Sequence, residues 1–517
     1  MVPLHSPVEA ARWLRQSGAW SLQADSRQIV PGEAFIAWPG AATDGRRHVG
    51  DACRQGAVAC LVEAEGVEAF TFPEVPALGS YAGLKAATGP IAAAYYEEPS
   101  RQIEVLAVTG TNGKTSTAWW LAEALRRLGR RCALVGTLGM GVPPELTYTG
   151  LTTPDPVSWQ RALRGFVDEG FAAVAIEASS IGIAERRLDG TRIALAVFTN
   201  FTQDHLDYHG SMDAYWQAKA ELFRWPGLRA AVVNVDDVHG ASLIAELAAS
   251  AAAAGVGPEL WTVSTEVSRA DAVDGVDGVE RIDGVQAPRL AARDIRYGAN
   301  GLSMTIVEAG APPQRLETTL IGQYNVANLL CVIGSLRALG VALGDAVAAC
   351  CGLGSVPGRM ERIDVAGTPL AVVDYAHTPD ALDKALAGLR PLAQARGGAL
   401  WCLFGCGGDR DPIKRPMMAA VAEKQADHLV VTSDNPRSEK PAQILSQILL
   451  GLAAPEAAQV QPDRALAIAD VLAQAAPADV VLIAGRGHEA WQEVAGERIA
   501  FSDRAHAIEA LTRRGAA

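Results

Sequence analysis

Seven consecutive residues, Gly110-Thr111-Asn112-Gly113-Lys114-Thr115-Ser116, combine two glycines, a lysine and hydroxyl side chains in an order suited to holding phosphate. Glycines let backbone N–H groups turn inward on phosphate oxygens, and a helix start behind them adds its positive dipole end. Lys114 supplies a point charge, and Thr115 can hold a magnesium ion. Two residues separate Gly110 from Gly113, where the common phosphate loop has four. The predicted ligand is a nucleoside triphosphate.

Further residues of chemical interest follow. Glu177 closes an apolar, β-rich run, where a carboxylate has little structural use but can coordinate Mg²⁺ opposite the phosphate loop. His205 and His209 are four apart and could share a helix face. Lys219 lies in a helical-looking stretch, Ala214 to Ala220, where a lone lysine is ordinarily a solvated surface group. Ser433-Asp434-Asn435-Pro436-Arg437 follows the apolar run His428 to Thr432, and a guanidinium there can hold a carboxylate through two parallel charge-assisted bonds. Gly405-Cys406-Gly407-Gly408 is too short and wrongly spaced for a dinucleotide fingerprint.

The elements that must position these groups alternate apolar, β-branched runs with amphipathic ones from Ile103 onward, as a parallel sheet with crossover helices does. The class is α/β. Strands are predicted at Ile103–Thr109, Phe171–Ala178, Ala194–Asn200, Ala230–Asn234, Leu370–Asp374, Leu400–Phe404, His428–Thr432 and Val480–Ala484. Most of the singled-out residues sit just after such strands, where doubly wound sheets bind ligands. The helix Ala118 to Leu128 follows the glycine loop and closes at Gly129. Before residue 102 the elements are shorter and mixed, including Gln28 to Ala37. The Asp/Gly/Val-rich stretch from Thr265 to Pro288 reads as a surface excursion, and Gly352 to Gly358 as a second boundary.

A length of 517 residues favours about three domains. With 49% hydrophobic and 20% charged residues the composition is that of a globular protein. A formal charge of −13 opposes nucleic-acid binding. No apolar run of membrane-spanning length occurs, and Glu9, Arg12 and Arg15 interrupt any apolar signal segment, so no membrane partner and a cytoplasmic location are expected. The eight cysteines read as reduced core thiols, the closest separated pair being Cys402 and Cys406.

The loop at Gly110 to Ser116 resembles that of the Mur ligases, the ATP-dependent amide synthases of peptidoglycan assembly, and of their folylpolyglutamate synthase cousins. Asp25-Ser26-Arg27, Asp44-Gly45-Arg46-Arg47, Thr152-Thr153-Pro154, Glu177-Ala178-Ser179-Ser180, Asp204 to Gly210, Gly322 to Asn328, Pro357 to Glu361 and Asp374 to Pro379 agree in order. They are similar to the subgroup that adds the third amino acid of the stem peptide. The resemblance implies three α/β domains. These are residues 1–102 for UDP-MurNAc-dipeptide, 103–355 as a central phosphate-loop, ATPase-like parallel-sheet domain, and 356–517 as a Rossmann-like domain for the amino acid.

It further implies ATP and Mg²⁺, with UDP-N-acetylmuramoyl-L-alanyl-D-glutamate as acceptor and meso-2,6-diaminopimelate as the added amino acid, in a monomer. Lys114, Lys219, His205 and Arg359 are the implied catalytic residues. ATP contacts fall on Gly110 through Ser116, Asn325, Asn328, Arg359, Asp374 and His377, although the asparagines could equally cap a helix. Thr115, Glu177, His205 and Lys219, the last as a carbamate, are the implied metal ligands, leaving His209 to cap or pack. Ser26, Thr152, Thr153, Ser179, Glu185 and Arg187 are carried over for the sugar dipeptide. Arg410, Asp434, Asn435, Pro436, Arg437, Gly485 and Glu489 are carried over for diaminopimelate, with Glu489 facing an ammonium group. Departures from the family pattern are Ile181 for His, Glu185 for Gln, Asp411-Pro412-Ile413-Lys414 for Asp-Lys-Gly-Lys, and Ala41-Ala42-Thr43 and Leu151 for polar residues.

Overall fold

The computed structural model describes residues 1–40, 43–266, 281–282, 285–286, 288–298 and 301–515. Most of the expected excursion, together with Ala41 and Ala42, lies outside the described residues. The chain divides into two compact units, Met1–Thr262 with Gly334–Gly340, and Val263–Ile333 with Val341–Ala517.

The first unit opens with a five-stranded, wholly parallel sheet of β1 (Val2–Leu4), β2 (Ser21–Gln23), β3 (Glu33–Ala37), β4 (Ala59–Glu63) and β5 (Leu78–Tyr81), in the order β1-β5-β4-β3-β2. Alternate residues face opposite ways. Ile36 and Leu61 therefore join one apolar cluster, while Phe35, Cys60 and Val62 join another, and both faces are covered. The mixed elements expected before residue 102 thus make a complete sheet. Its strands of three to five residues are too short to show a period of their own.

The same unit continues with β6 (Glu104–Thr109), β7 (Cys132–Gly136), β8 (Gly139–Val142), β9 (Glu145–Thr147), β10 (Ala173–Glu177), β11 (Ile193–Phe198) and β12 (Ala230–Asn234). Here β7, β10, β6, β11 and β12 lie side by side and parallel, and β8 and β9 extend the β7 edge as an antiparallel meander. The core beneath them is Val105, Ala107, Val174, Ile176 and Phe198 with Trp159 and Phe166 of the helix Pro156–Asp168. Where the first sheet's helix Leu84–Tyr95 meets this layer, a Cβ on Gly89 would collide with the Asp189 carbonyl, and one on Gly190 with the Gly89 backbone. Gly89→Ala is expected to destabilise the protein by about 1–3 kcal/mol despite alanine's better helix propensity, read as a lower urea midpoint. An unchanged midpoint would mean that the contact yields at little cost.

In the second unit the end of β13 (Glu259–Ser264) pairs with β16 (Leu290–Gly298), followed antiparallel by β17 (Gly301–Glu308) and β18 (Gln314–Thr318). The short pair β14 (Arg281–Ile282) and β15 (Val285–Gln286) stands apart from them as its own two-stranded sheet. A six-stranded sheet then forms from β19 (Glu361–Ile363), β20 (Leu370–Asp374), β21 (Leu400–Phe404), β22 (His428–Thr432), β23 (Gln459–Gln461) and β24 (Val480–Ala484), in the order β19-β20-β24-β21-β22-β23. All but β19 are parallel. Val372 and Leu482 enter one apolar cluster and Val373 and Ile483 the other, so helices cover both faces. A hairpin of β25 (Trp491–Val494) and β26 (Glu497–Ala500) follows.

Five of the eight expected strands coincide with the observed ones residue for residue, and the other three differ by one or two residues at their ends. All eight cysteines are free thiols; six are buried, and Cys53 and Cys351 are half-buried. No helix among the described residues is long and apolar enough to cross a membrane.

Candidate active site

Buried β6 delivers the chain into the glycine loop. Gly110 has φ +146°, and a side chain there would strike Thr199 Oγ1 and the Asn200 backbone, so the loop lies directly against the end of β11. Asn112 N–H donates to Asn200 Oδ1 at 3.0 Å, and Asn200 Nδ2 returns a bond to Asn112 O at 3.1 Å. The helix Lys114–Arg127 begins with Gly113 (φ +86°) as its cap, and no side chain closes that start. Its first amides and dipole face the loop.

Two lysines converge on one loop carbonyl. Lys114 Nζ donates to Gly110 O at 2.9 Å and to Thr111 O at 2.9 Å, and Lys219 Nζ reaches Gly110 O at 2.7 Å. Lys219, read from its helix as a surface group, is 1% exposed. The helix Met212–Ala220 turns it inward beneath the loop, 4.5 Å from the Tyr215 ring, while Tyr215 OH lies 3.1 Å from Thr111 Oγ1. Burial first, then the Lys114 ammonium, holds the Lys219 amine well below the ordinary lysine range, against the pull of Asp204.

Thr115 Oγ1 donates to Glu177 Oε2 at 2.9 Å, and Thr137 N–H donates to Glu177 Oε1 at 2.8 Å. Glu177 is buried, and a Cβ at Gly136 would collide with its carboxylate. Thr115 and Glu177 thus present hard oxygens side by side, whereas among the described residues no group of three or more His, Cys, Asp or Glu side chains stands at metal-holding reach.

The two histidines do not share a helix face. His205 precedes a single turn, Leu206–His209, in the left-handed region with φ +51°, and its ring lies 3.5 Å from Asp204 Oδ2. Burial lowers its pKa, Asp204 opposes this, and Lys114 and Lys219 add to the lowering. His209 instead lies 3.0 Å from Ser180 Oγ with its ring against Tyr215, the packing role expected of it.

Of the residues carried over for the sugar dipeptide, Thr153 is the hub. Its hydroxyl donates to Glu177 O at 2.8 Å and lies 2.9 Å from Ser179 Oγ, and its carbonyl accepts from Arg187 at 2.9 Å. Thr152 Oγ1 is 3.0 Å from Thr137 Oγ1. Ser179 also caps the short helix Ser180–Ala184. Glu185 pairs with Lys85 Nζ at 2.8 Å and accepts from Tyr208 OH. Burial opposes its ionisation, but these bonds outweigh it and hold the carboxyl below its usual range. Ser26 is buried in the Ser26–Gln28 turn, and none of these bonds joins it to the Thr153 group.

In the second unit, Asn325 and Asn328 lie inside the start of the helix Tyr324–Ala338 and do not cap it. Asn325 Nδ2 donates to Ile321 O at 2.6 Å, and Asn328 Nδ2 to Asn325 Oδ1 at 3.0 Å. Asp374, at the end of β20, spends both carboxylate oxygens on backbone amides, of Met360 at 2.7 Å and Ala376 at 2.8 Å. It thereby fixes the strained turn Gly358 to Met360, both of positive φ. Burial raises its pKa against the opposing Arg359 charge and those amides. The Arg359 guanidinium lies 4.5 Å over the Tyr375 ring, which also packs on His377 at 4.7 Å and His488 at 5.4 Å.

The ends of β22 and β24 carry a second group. Asn435 is its centre: its amide donates to Glu489 Oε2 at 2.7 Å, and its carbonyl accepts from Arg486 at 2.6 Å and from Glu493 N–H at 2.9 Å. Burial and then Asp434 raise the Glu489 pKa, with Asn435, Arg486 and Arg437 opposing. A Cβ on Gly485 would stand 2.6 Å from Asp434 Oδ2, so glycine there lets the two loops close up. Arg437, at φ +51°, donates to Gly408 O at 2.7 Å and stands 3.6 Å from Glu493 Oε2. Pro436 carries its carbonyl against Gly408. Arg410 is exposed, with its stem near Gly407 and no bond to the Asn435 network. Arg486, Glu493, Tyr375, Thr137 and Lys85 were not singled out from sequence. Of these, Tyr375 lies inside the Asp374–Pro379 motif and Arg486 between Gly485 and Glu489, whereas Glu493, Thr137 and Lys85 carry no local signal.

Such a loop, set between a buried parallel strand and an open helix start, belongs to the nucleotide-phosphate-binding class of α/β proteins. Residues 108–336 match the family described as Mur ligase middle domain, and residues 358–487 that described as Mur ligase, glutamate ligase domain. Those matches cover more than half of the chain, which belongs to the Mur ligase family. A protein of Acidovorax sp. (strain JS42) named UDP-N-acetylmuramoyl-L-alanyl-D-glutamate–2,6-diaminopimelate ligase is 58% identical over 98% of this chain and 97% of its own. One of the same name from Pseudomonas aeruginosa is 45% identical over 95% and 94%. A solved structure with that name aligns with a TM-score of 0.65 at 32% identity, covering 96% of this chain and 95% of that one. The MurF ligase of Thermotoga maritima in complex with ADP shares the fold at 16% identity and a TM-score of 0.60, over 96% and 97%.

Proposed function

We propose that this chain is an ATP-dependent amide-bond-forming ligase that joins meso-2,6-diaminopimelate to the D-glutamate carboxylate of UDP-N-acetylmuramoyl-L-alanyl-D-glutamate. It acts as a cytoplasmic monomer in cell-wall precursor synthesis. Near-full-length likeness to relatives named for that reaction supports the reading. The observation that carries the choice of amino acid is the pocket at the ends of β22 and β24, where Asn435 and Glu489 are held together and Arg437 stands on the same loop. Diaminopimelate is lysine with a further carboxylate, and a guanidinium meets that carboxylate where it would repel the ammonium of lysine. Glu489, its ionisation opposed by burial, gains most from an incoming ammonium group.

A carboxylate and an amine do not condense in water unaided. In the proposed reaction the terminal phosphate of ATP passes to the acceptor carboxylate. The amine then displaces phosphate from the resulting acyl phosphate through a tetrahedral intermediate. Phosphoryl transfer needs positioning and charge neutralisation, for which the amides of Gly110 to Ser116 and Lys114 are suited, and Arg359 is the further charge that the family resemblance assigns to this step. When bound, Mg²⁺ supplies further neutralisation of the phosphate oxygens. The donor chemistry fits it, because Thr115 Oγ1 and Glu177 Oε2 are adjacent oxygens and Mg²⁺ takes few protein ligands beside phosphate and water. His205 and a carbamate on Lys219 complete the proposed set. Addition of Nζ to CO₂ with loss of one proton makes the carbamate, which requires the uncharged amine that burial favours. Residues 1–102, 103–355 and 356–517 are assigned to the sugar dipeptide, ATP and amino acid respectively. Asn325, Asn328, Asp374 and His377 then serve the nucleotide, Asp374 through the turn it holds.

The test is phosphate release with ATP, Mg²⁺ and UDP-N-acetylmuramoyl-L-alanyl-D-glutamate, comparing meso-diaminopimelate with L-lysine. Release is expected only with diaminopimelate. Release with lysine would overturn the amino-acid choice, and release without acceptor or amino acid would overturn ligation itself.

A further inference from the structure

Arg464 and Asp503 form an ion pair in which both side chains are 0% exposed. Arg464 opens the helix Arg464–Gln474, and Asp503 opens the helix Asp503–Gly515 that packs beside it. A guanidinium at a helix start opposes the helix dipole, and burial adds a desolvation cost, so the placement needs compensation. Asp503 supplies part of it, with Oδ1 2.7 Å from Nε and Oδ2 2.8 Å from Nη2.

The rest comes from two backbone carbonyls. Arg464 Nη2 donates to Ala484 O at 2.9 Å, and Nη1 donates to Ser433 O at 3.2 Å. Ala484 is the last residue of β24 and Ser433 the first beyond β22. These strands are not neighbours, since β21 lies between them. No ladder bond can therefore fix the ends of β22 and β24 against each other, and the two arms of one guanidinium do so instead. The residues that follow, Asp434 to Arg437 and Gly485 to Glu489, are the two loops of the amino-acid pocket. Asp434 and Glu489 also lie near enough to act on the Arg464 charge.

We infer that Arg464, fixed by Asp503, is a positioning residue for the amino-acid pocket, setting the spacing between the Asn435–Arg437 loop and the Gly485–Glu489 loop. It touches no substrate. Its effect passes through the Asn435–Glu489 bond, which joins the two loops that it anchors. The inference rests on the proposed amino-acid role of that pocket.

Removing one member of a buried pair strands the other charge, so Arg464→Ala alone is a poor test. The double variant Arg464→Met/Asp503→Leu replaces both charges with apolar groups of similar size, an exchange often neutral for stability. With thermal unfolding confirming that the double variant is folded, its KM for meso-diaminopimelate is expected to rise at least about tenfold, as loss of about an ångström in placement does. KM for ATP and for the sugar dipeptide should stay within about twofold, a split that general loss of structure would not give. A folded variant with unchanged KM for diaminopimelate, or with all three constants raised alike, overturns the inference. Should the double variant not fold, Arg464→Lys is measured in its place, because it keeps the charge but cannot reach both carbonyls. Wild-type protein that ligates some other amino acid would instead refute the function on which the inference rests.

Discussion

Lys219→Met is expected to lower kcat by about 10²- to 10³-fold, the scale on which loss of one preorganised charge-stabilising group acts. Methionine fills the space left by the buried stem, so the loss cannot be assigned to a cavity. The lysine sits under the phosphate loop with its Nζ on Gly110 O, and burial and Lys114 keep its amine well below the usual lysine range. An amine adds to CO₂ only when uncharged. Carbamate formation therefore rises with pH through the amine's pKa, and lowering that pKa brings the reaction to neutral pH. In the wild type with ¹³C-labelled bicarbonate a carbamate carbon resonance is expected, absent from the variant. ADP binding should persist, because the loop amides and Lys114 remain. Full activity of the methionine variant, or a wild type without that resonance, would sink the assignment.

Strand positions in the two large parallel sheets were legible because buried parallel strands are continuous apolar runs ended by polar turns, as Leu400–Phe404 and Val480–Ala484 show. The first sheet was not, since Val2–Leu4 and Ser21–Gln23 are too short to declare a period and are specified by their neighbours. The glycine loop was legible for a local reason: phosphate binding needs contiguous backbone, and contiguous residues can be read. Burial of Lys219 was not, because its helix carries no clear apolar face and only the fold turns that side inward. The shared-face reading of His205 and His209 failed on one residue, His205, whose left-handed backbone precedes the helical turn. Arg464 and Asp503 lie on successive helices, 39 residues apart, and nothing local marks them as a pair.

Arg437→Ala is expected to raise KM for meso-diaminopimelate by about 10²-fold or more, the scale of losing one partner of a hydrogen-bonded charge pair. KM for ATP should stay unchanged. Arg437 is held by the Gly408 carbonyl and stands near Glu493, and its own N–H donates to Glu493 O at 3.0 Å. The guanidinium is thus already held in place, and in the proposed role little ordering cost remains when a carboxylate arrives. Truncation also frees the Gly408 contact, so part of the loss is expected from loosening of the Gly407–Arg410 loop. The selectivity ratio separates these effects. A loosened loop weakens diaminopimelate and lysine alike, whereas loss of the carboxylate partner weakens diaminopimelate and removes the repulsion that excludes lysine. The ratio of kcat/KM for the two amino acids should therefore fall in Arg437→Ala. Arg437→Lys should fall between wild type and Ala, because an ammonium keeps the charge but loses the second parallel bond. A ratio that stays constant across the three proteins would remove Arg437 from amino-acid selection and leave it a loop anchor.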